Sequence, residues 1–493
     1  MLLLSLSKTR LGRVPPRRSN LSTSIRTLRA RAATRPYSTR SSPSRNSIKY
    51  IAATGLASSS GLVWLIASSA RDDVPCLEKP PAKYSSAGHG PSKDQVTSII
   101  SREAYSYLVR NIPGVDRYDG AQIASNSPCE DQFVHGRFSS PWNDGDQWMA
   151  WAVLDGHAGR QTADLLREEL VPYVRNSLEQ IEPSHYLQKK GYVSDEAVQG
   201  AITRGFLDLD EAIFNRALDA ARSNEPLQDK VDKLLPAFSG SCALLSLYDP
   251  ATSTLHVACT GDSRAVLGQQ RPDGTWEAIP LSVDQTGRNE EEVARLYREH
   301  PGEDKIVKDG RVLGIMVSRA FGDGRWKWPL ELQEELHRKF HGPAPLTPKY
   351  DVRTPPYLTA EPVVTTTKID PSRASFLIMA TDGMWDMMSS HQAVNLAGDW
   401  LQAQQAGGKK KQSSPELTNG PVDFGQVSER FEDARKTVQD DNAAVHLVRN
   451  SLGGNHHELI AGRLAYSPPH SRYLRDDTTV QVVFFNTENL RKQ

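Results

Sequence analysis

The residues of this 493-residue sequence with the clearest capacity for chemistry are aspartates at the ends of short apolar runs. They are Asp155 after residues 147–154, Asp262 after 255–260 and a glycine, Asp382 after 375–381, and Asp476 before 478–485. Burying a carboxylate costs folding free energy unless a positively charged group lies beside it. One such aspartate is usually turn or helix-cap chemistry. Four of them are better explained as a cluster of oxygen ligands, which would bind magnesium or manganese.

Neighbouring residues support an oxygen-ligand site. Gly156 and Gly383 directly follow two of these aspartates, and a residue without a Cβ lets backbone segments approach closely. Suitably spaced His and Cys are scarce, which argues against zinc. The four cysteines have no C-x-x-C spacing, so we expect reduced thiols rather than a disulfide framework or a zinc ribbon.

The apolar runs that end in these acids predict the elements that position them. Their length and their content of Val, Ile, Phe and Trp are typical of buried strands. Helical spacing of apolar residues occurs elsewhere, at Ala163, Leu166, Leu170 and Val174, and at Ala443, Ala444, Leu447 and Leu452. Strands in succession, with helices set apart from them, predict an α+β fold with a two-sheet sandwich rather than a doubly wound sheet.

Composition narrows the function classes. Hydrophobic residues make up 38% and charged residues 24% of the chain, which excludes fibrous, disulfide-scaffold and wholly disordered proteins. The first 71 residues contain 11 Arg and 2 Lys but no acid, so the remainder has 46 basic against 59 acidic residues. A negatively charged body argues against a nucleic-acid ligand.

The amino-terminal region has the composition of a targeting segment. Residues 1–50 are rich in Arg, Ser and Thr and predict a mitochondrial presequence, with a basic tail that binds nucleic acid or anionic lipid as the alternative. Residues 51–71 include 20 uncharged positions, long enough for a transmembrane or sorting segment that would anchor the protein to the inner membrane, unless processing removes it. Residues 72–95 predict a linker, and residues 402–425 a low-complexity insert in a domain of residues 96–488.

Six short motifs then give a specific resemblance. They are LDGHAG at 154–159, SGSCA at 239–243, TGDSRAV at 260–266, VSRAFGD at 317–323, ATDGMWD at 380–386 and DDTT at 476–479. In order and spacing they resemble the metal-dependent type 2C protein serine/threonine phosphatases. Within that family, the strings at 124–131, 281–300, 310–328, 354–362 and 442–454 are most similar to the pyruvate dehydrogenase phosphatases.

The resemblance implies a central sandwich of two antiparallel sheets flanked by helices, with a binuclear magnesium or manganese site at one end. Asp155 would bridge the two ions, and the Gly156 carbonyl would bind one of them. Asp382 and Asp476 would complete the shell of that ion. Asp131 would lie by the other ion, mostly through water.

The same resemblance implies further roles. Asp262 and Asp386 match positions that hold a third, weaker metal in some members, and His157 matches the proposed general acid. Many members bind the substrate phosphate with an arginine where this chain has Asn126. The pyruvate dehydrogenase phosphatases share that asparagine, so the residue that binds the phosphate is left unassigned.

The activity that follows is attack of a metal-activated water on phosphoserine or phosphothreonine, with His157 protonating the departing alkoxide. The pyruvate dehydrogenase alpha subunit is the expected substrate, in the matrix or at the inner membrane. Branched-chain 2-oxoacid dehydrogenase, or another mitochondrial phosphoprotein, is the alternative substrate. A pseudophosphatase that only binds phosphoproteins is the alternative class, although the expected ligand acids are all present.

Overall fold

The computed structural model describes residues 90–142, 144–181, 193–406, 424, 428 and 430–488. The predicted presequence (1–50), the predicted membrane or sorting segment (51–71) and most of the predicted linker lie outside these residues. Within them, no helix is both long enough and apolar enough to cross a bilayer.

Antiparallel strands form the centre of the described chain. In chain order they are β1 (Tyr105–Leu108), β2 (Val115–Ile123), β3 (Gln132–Ser139), β4 (Gln147–Leu154), β5 (Gly156–His157), β6 (Gly240–Ser241), β7 (Ala243–Asp249), β8 (Thr254–Thr260), β9 (Arg264–Gln270), β10 (Trp276–Pro280), β11 (Val307–Lys308), β12 (Arg311–Val312), β13 (Phe321–Gly322), β14 (Val363–Lys368), β15 (Ser375–Ala380) and β16 (Thr478–Phe485). The predicted strands that precede or follow the four aspartates are thereby confirmed.

Helices surround the strands. In chain order they are α1 (Lys93–Ile100), α2 (Gln161–Glu179), α3 (Asp195–Arg222), α4 (Leu227–Phe238), α5 (Glu290–Glu299), α6 (Gly324–Lys327), α7 (Leu330–Phe340), α8 (Asp382–Trp385), α9 (Ser390–Gln405), α10 (Ala443–Leu452) and α11 (His457–Ala465), with short 3-10 helices at Asp433–Arg435 and His470–Tyr473. The two predicted helical faces are confirmed, because their apolar residues are buried on α2 and α10.

Two large sheets pack face to face. One has the strand order β1-β2-β16-β15-β9-β10 and the other has the order β14-β8-β7-β4-β3. Side-chain alternation on β4 shows how the layers form, because successive strand residues point to opposite faces. Met149, Trp151 and Val153 pack between the sheets, whereas Trp148 and Leu154 pack against the helices. The predicted α+β sandwich of two antiparallel sheets is confirmed.

Helices cover both outer faces of the sandwich. The apolar sides of α2, α3 and α4 join the outer face of the five-stranded sheet in one buried cluster. Those of α9 and α10 join the outer face of the six-stranded sheet in another. The inner strands β4, β8, β15 and β16 are therefore covered on both sides, which explains why these predicted strands are continuous apolar runs rather than alternating ones.

Two predicted boundaries differ from the structure. Helix α1 begins at Lys93, inside the predicted linker 72–95, because Ser92 and Gln95 form a capping box at its amino end. Helix α9 continues to Gln405, so the first residues of the predicted insert 402–425 are helical. Gln and Ala are good helix formers, and they extend the helix past the point where the composition changes. Residues 407–423 of the insert lie outside the described part of the chain.

Candidate metal centre

Three carboxylates from different strand ends converge at one end of the sandwich. One oxygen of each of Asp155, Asp262 and Asp382 lies within 4.8 Å of the others. Asp155 follows β4 and Asp262 follows β8, both in the five-stranded sheet, whereas Asp382 follows β15 in the six-stranded sheet. The two sheets therefore each contribute acids to one cluster, as a shared ligand site requires.

The glycines that follow two of these aspartates allow the chain segments to meet. A Cβ at Gly156 would lie 2.2 Å from the carbonyl oxygen of Glu130, and a Cβ at Gly383 would lie 2.2 Å from that of Asp477. Distances this short exclude any side chain. The close backbone approach predicted from the two Asp-Gly pairs is confirmed.

The cluster concentrates negative charge in a partly buried site. Burial raises the pKa of Asp155 well above its usual value, and the charges of Asp382, Asp131 and Asp262 raise it further. Burial likewise raises the pKa of Asp382 to about 7, with further increases from Asp262 and Asp386. Ionised carboxylates packed together are unfavourable without a compensating cation. A divalent ion bound to hard oxygen ligands would supply that compensation.

Asp131 has an oxygen oriented for a further ligand. Its carboxylate is 1% exposed, and Oδ2 accepts hydrogen bonds from the hydroxyls of Thr479 at 2.8 Å and Thr381 at 3.0 Å. Among the described residues, Oδ1 has no hydrogen-bond partner. A buried carboxylate oxygen normally has a partner, so this atom fits a role in binding a cation or its water.

The remaining acidic positions lie at the edge of the cluster. Asp476 forms an ion pair with Arg472, four residues earlier, and is outside the group of three that converge most closely. Asp386 follows α8 one turn after Asp382, so its charge lies on the same side of that helix. The tightest group thus contains Asp262, which the resemblance placed at a weaker site, rather than Asp476.

A small three-stranded sheet positions His157. Strand β6 pairs with both β5 and β13, and His157 lies opposite Gly240 in this pairing. The Nε2 atom of His157 is 2.7 Å from Oδ2 of Asp323, the residue after β13. A Cβ at Gly240 would lie 2.2 Å from Nε2 and 2.4 Å from the Asp323 carboxylate, so only glycine allows this contact.

The Asp323 carboxylate determines the proton affinity of His157. Burial lowers the pKa of the imidazole, but the charge and hydrogen bond of Asp323, together with the charges of Glu130 and Asp262, outweigh it, so the net pKa is above the usual value. Sequence analysis assigned no role to Asp323, although this residue ends the VSRAFGD motif. A positive φ of 55° at this non-glycine residue is the structural sign of a constrained position.

Asn126 belongs to a network that fixes the loop before Asp131. Its side-chain amide donates to Oε2 of Glu130 at 2.7 Å and to Oδ2 of Asp477 at 3.2 Å. The Asp477 carboxylate also accepts from the backbone N–H groups of Ser125, Asn126 and Glu130. Both amide hydrogens of Asn126 are therefore engaged within the protein, and the second aspartate of the DDTT motif holds the loop.

Comparison with known proteins places this geometry in a family. The family model described as Protein phosphatase 2C matches residues 120–426. A protein phosphatase 2C homolog of Schizosaccharomyces pombe is 42% identical over 452 residues, which cover 90% of this chain and 97% of that protein.

Two further relatives carry a more specific name. Both are named pyruvate dehydrogenase (acetyl-transferring) phosphatase 1, mitochondrial. The protein from Saccharomyces cerevisiae is 35% identical, covering 77% of this chain and 70% of its own length. The human protein is 32% identical, covering 80% of this chain and 83% of its own length. By the matched model, by these relatives and by its acidic cluster, the chain belongs to the protein phosphatase 2C family of metal-dependent protein phosphatases.

Proposed function

We propose that this phosphatase uses magnesium or manganese to hydrolyse phosphoserine and phosphothreonine in mitochondrial proteins. The observation that carries the proposal is the convergence of Asp155, Asp262 and Asp382 at one end of the sandwich, with His157 two residues after Asp155. The cluster offers oxygen ligands for divalent ions, and the histidine offers a proton donor. Hydrolysis of a phosphate monoester needs both functions.

We propose that the site binds two ions. The proposed ligands are Asp131, Asp155, the Gly156 carbonyl, Asp382 and Asp476, with Asp262 and Asp386 available to a further ion. When bound, such ions lower the pKa of coordinated water and neutralise phosphoryl oxygens. The buried Oδ1 of Asp131, which has no partner among the described residues, supports this assignment.

His157 is proposed to act as the general acid. Its Nε2 faces Asp323, so Nδ1 is the atom that would give a proton to the departing serine or threonine alkoxide. Asp323 holds the ring in one orientation and keeps the imidazole protonated at a higher pH than usual. A phosphoenzyme intermediate is not part of this scheme, because water is the nucleophile.

The relatives support a substrate and a compartment. The Saccharomyces cerevisiae and human proteins are named as mitochondrial pyruvate dehydrogenase phosphatases, and their similarity extends over more than three quarters of this chain. The Arg-rich, acid-free composition of residues 1–50 agrees with a mitochondrial address. We therefore infer that the preferred substrate is the phosphoserine of the pyruvate dehydrogenase alpha subunit, with branched-chain 2-oxoacid dehydrogenase as the alternative.

The reaction is tested by phosphate release from a phosphoserine peptide. The purified full chain is assayed without metal, with millimolar magnesium or manganese, and after chelation. We expect release that requires metal and stops with chelator. If the folded protein binds metal, as calorimetry would show, but releases no phosphate, the chain is a phosphoprotein-binding module and the proposed function is wrong.

The substrate is tested by competition between two phosphoproteins. The kcat/KM values for phosphorylated pyruvate dehydrogenase alpha subunit and for phosphorylated branched-chain 2-oxoacid dehydrogenase are measured under the same metal concentration. A preference for the first supports the inference. Equal values, or a preference for the second, would leave the reaction in place and replace the substrate.

A further inference from the structure

The metal centre needs a cationic group for the substrate phosphate, and Asn126 is not free to help. A phosphate dianion that approaches a set of aspartates meets negative charge, and the protein donors that bind phosphate best are arginine guanidinium groups. The amide of Asn126 already donates both hydrogens to Glu130 and Asp477. The donor for the phosphate must therefore come from another element.

Arg472 lies where such a donor is needed. It belongs to the 3-10 helix His470–Tyr473, and its Nη1 contacts Oδ1 of Asp476. Its side chain is 38% exposed, so the guanidinium is open to a ligand from solvent. Asp476 lies just before β16, which pairs with β15, and Asp382 lies just after the end of β15. The guanidinium is therefore at the end of the sandwich where the acids converge.

The protein holds the segment that carries Arg472 in place. Ser471 donates its hydroxyl to the carbonyl of Ser125, and Arg475 donates to the carbonyl of Ala124 at 3.1 Å. These bonds attach the 3-10 helix to the loop that leads to Asp131. Arg472 thus belongs to a segment that hydrogen bonds hold in place, which limits the conformational cost of binding a ligand.

Two other arginines near the acids, Arg264 and Arg475, are already committed to other partners. Arg264, whose charge reaches Asp386, binds both carboxylate oxygens of Asp284 at 2.9 and 2.5 Å. Arg475 is used on backbone carbonyls. Arg472 instead pairs with Asp476, which is itself a proposed metal ligand. A divalent ion at Asp476 would compete for that carboxylate and leave the guanidinium beside the centre with its donors available.

We propose that Arg472 binds the phosphate of the substrate at the entrance to the metal centre, through the planar fork of its guanidinium. This inference rests on the proposed phosphatase function. It assigns the phosphate-binding role to an element about 350 residues further along the chain than Asn126, and to the same short segment that supplies Asp476.

The test compares Arg472→Ala and Arg472→Lys with the control Arg175→Ala. Arg175 forms an i,i+4 ion pair with Glu179 on α2, and its side chain has the same 38% exposure, so it matches Arg472 in type, spacing and exposure. Three quantities are measured: KM and kcat for a phosphoserine peptide, the Kd of inorganic phosphate on the magnesium-loaded protein, and the Kd of magnesium. Calorimetry gives the two Kd values without turnover.

We expect Arg472→Ala to raise KM and the phosphate Kd about tenfold or more, the range for a charged hydrogen bond lost to a phosphate. Arg472→Lys should lie between, because lysine keeps the charge but loses the fork. Magnesium should bind the alanine variant as tightly as the wild type or more tightly, since a competitor for Asp476 is gone. The Arg175 variant should match the wild type in all three.

Two results would overturn the inference. The first is an unchanged KM and phosphate Kd in Arg472→Ala. The second is weaker magnesium binding with unchanged phosphate binding, which would make Arg472 a residue that only positions Asp476. An inactive wild type would instead refute the proposed function, and the phosphate Kd values would still decide the role of Arg472.

Discussion

Two regions of the molecule bury carboxylates in opposite ways. Glu292 on α5 is surrounded by built-in cations: Arg319 donates to both of its oxygens, and Arg295 donates to Oε2 at 2.9 Å. Burial raises the pKa of Glu292, but the hydrogen bonds from Arg319, Arg295 and Ser318 lower it by more, to about 2. In the metal centre, carboxylate faces carboxylate, and the pKa of Asp382 rises to about 7.

This difference distinguishes buried acids that have a structural role from buried acids that have a functional role. An acid whose cation is part of the fold is neutralised permanently, so it can only hold the chain together. An acid grouped with other acids is incomplete until a cation arrives from solution, so it can respond to that cation. The opposite pKa shifts of Glu292 and Asp382 follow from these opposite surroundings.

Replacing a metal-centre acid gives the largest expected effect. Asp382→Asn should lower phosphate release by at least about a thousandfold, roughly 4 kcal/mol of barrier, because it removes a proposed ligand. In the presence of chelator the variant should unfold at the wild-type temperature or higher, since one charge of the cluster is gone. Activity assays and thermal unfolding test this, and unchanged activity would refute the assignment of the site.

Replacing Glu292, whose charge is compensated by two arginines, should lower the stability of the fold and leave magnesium binding unchanged. Glu292→Ala leaves Arg295 and Arg319 without their shared partner, and breaking a buried pair in this way costs about 3 to 5 kcal/mol of unfolding free energy. Magnesium affinity should not change. Denaturant unfolding gives the first value and calorimetry the second. Glu291→Ala, an exposed neighbour on the same helix, is the control and should stay within about 0.5 kcal/mol of wild type.

Added magnesium should stabilise the protein by binding at the acidic cluster. Magnesium at about 100 times its Kd should raise the unfolding free energy of the wild type by about 3 kcal/mol, because it binds only the folded site. Glu291→Ala should gain the same amount, whereas Asp382→Asn should gain much less. Thermal unfolding at a series of magnesium concentrations measures these gains. An equal gain in the aspartate variant would mean that magnesium binds elsewhere.

The smallest effect is a pH dependence that belongs to Glu292. Its folded pKa is about 2 against an ordinary 4.5, so the unfolded state binds more protons between these values. The stability that Glu292 contributes is present above pH 4.5 and is lost as the pH falls towards 2. Glu292→Gln should lack this part of the acid sensitivity. Unfolding free energies measured at pH 6, 4.5 and 3 would show parallel curves for the two proteins if the pair were unimportant.

Most of the sandwich could be predicted from the sequence because its strands are buried on both faces. Residues 147–154 and 478–485 were predicted as strands and coincide with β4 and β16. The acids at the strand ends could also be identified from the sequence, because an acidic residue interrupts the apolar pattern beside it. Asp155, Asp262 and Asp382 were therefore predicted as members of one cluster, and they meet in the structure.

Contacts between residues that are far apart in the chain could not be predicted from the sequence. Asp323 contacts His157 across 166 positions, and Asp477 holds Asn126 across 351. Asp323 does not end an apolar run, and although Asp477 directly precedes the run 478–485, no periodicity links either acid to its partner. Only the strand pairing of β5, β6 and β13 brings the first pair together. The ion pair of Arg472 with Asp476 spans only four residues, but its position beside the cluster is again a tertiary property.

The position of β16 in the sheet affects how the enzyme folds. This strand, the last one in the described residues, lies between β2 and β15, in the middle of the six-stranded sheet, and Asp476 and Asp477 directly precede it. A chain still leaving the ribosome, or still passing through a narrow pore, lacks the centre of that sheet and two acids of the site. Closing so long a loop is slow compared with local folding. The centre of the six-stranded sheet, and the two acids that precede β16, are therefore in place only once β16 has paired with β2 and β15.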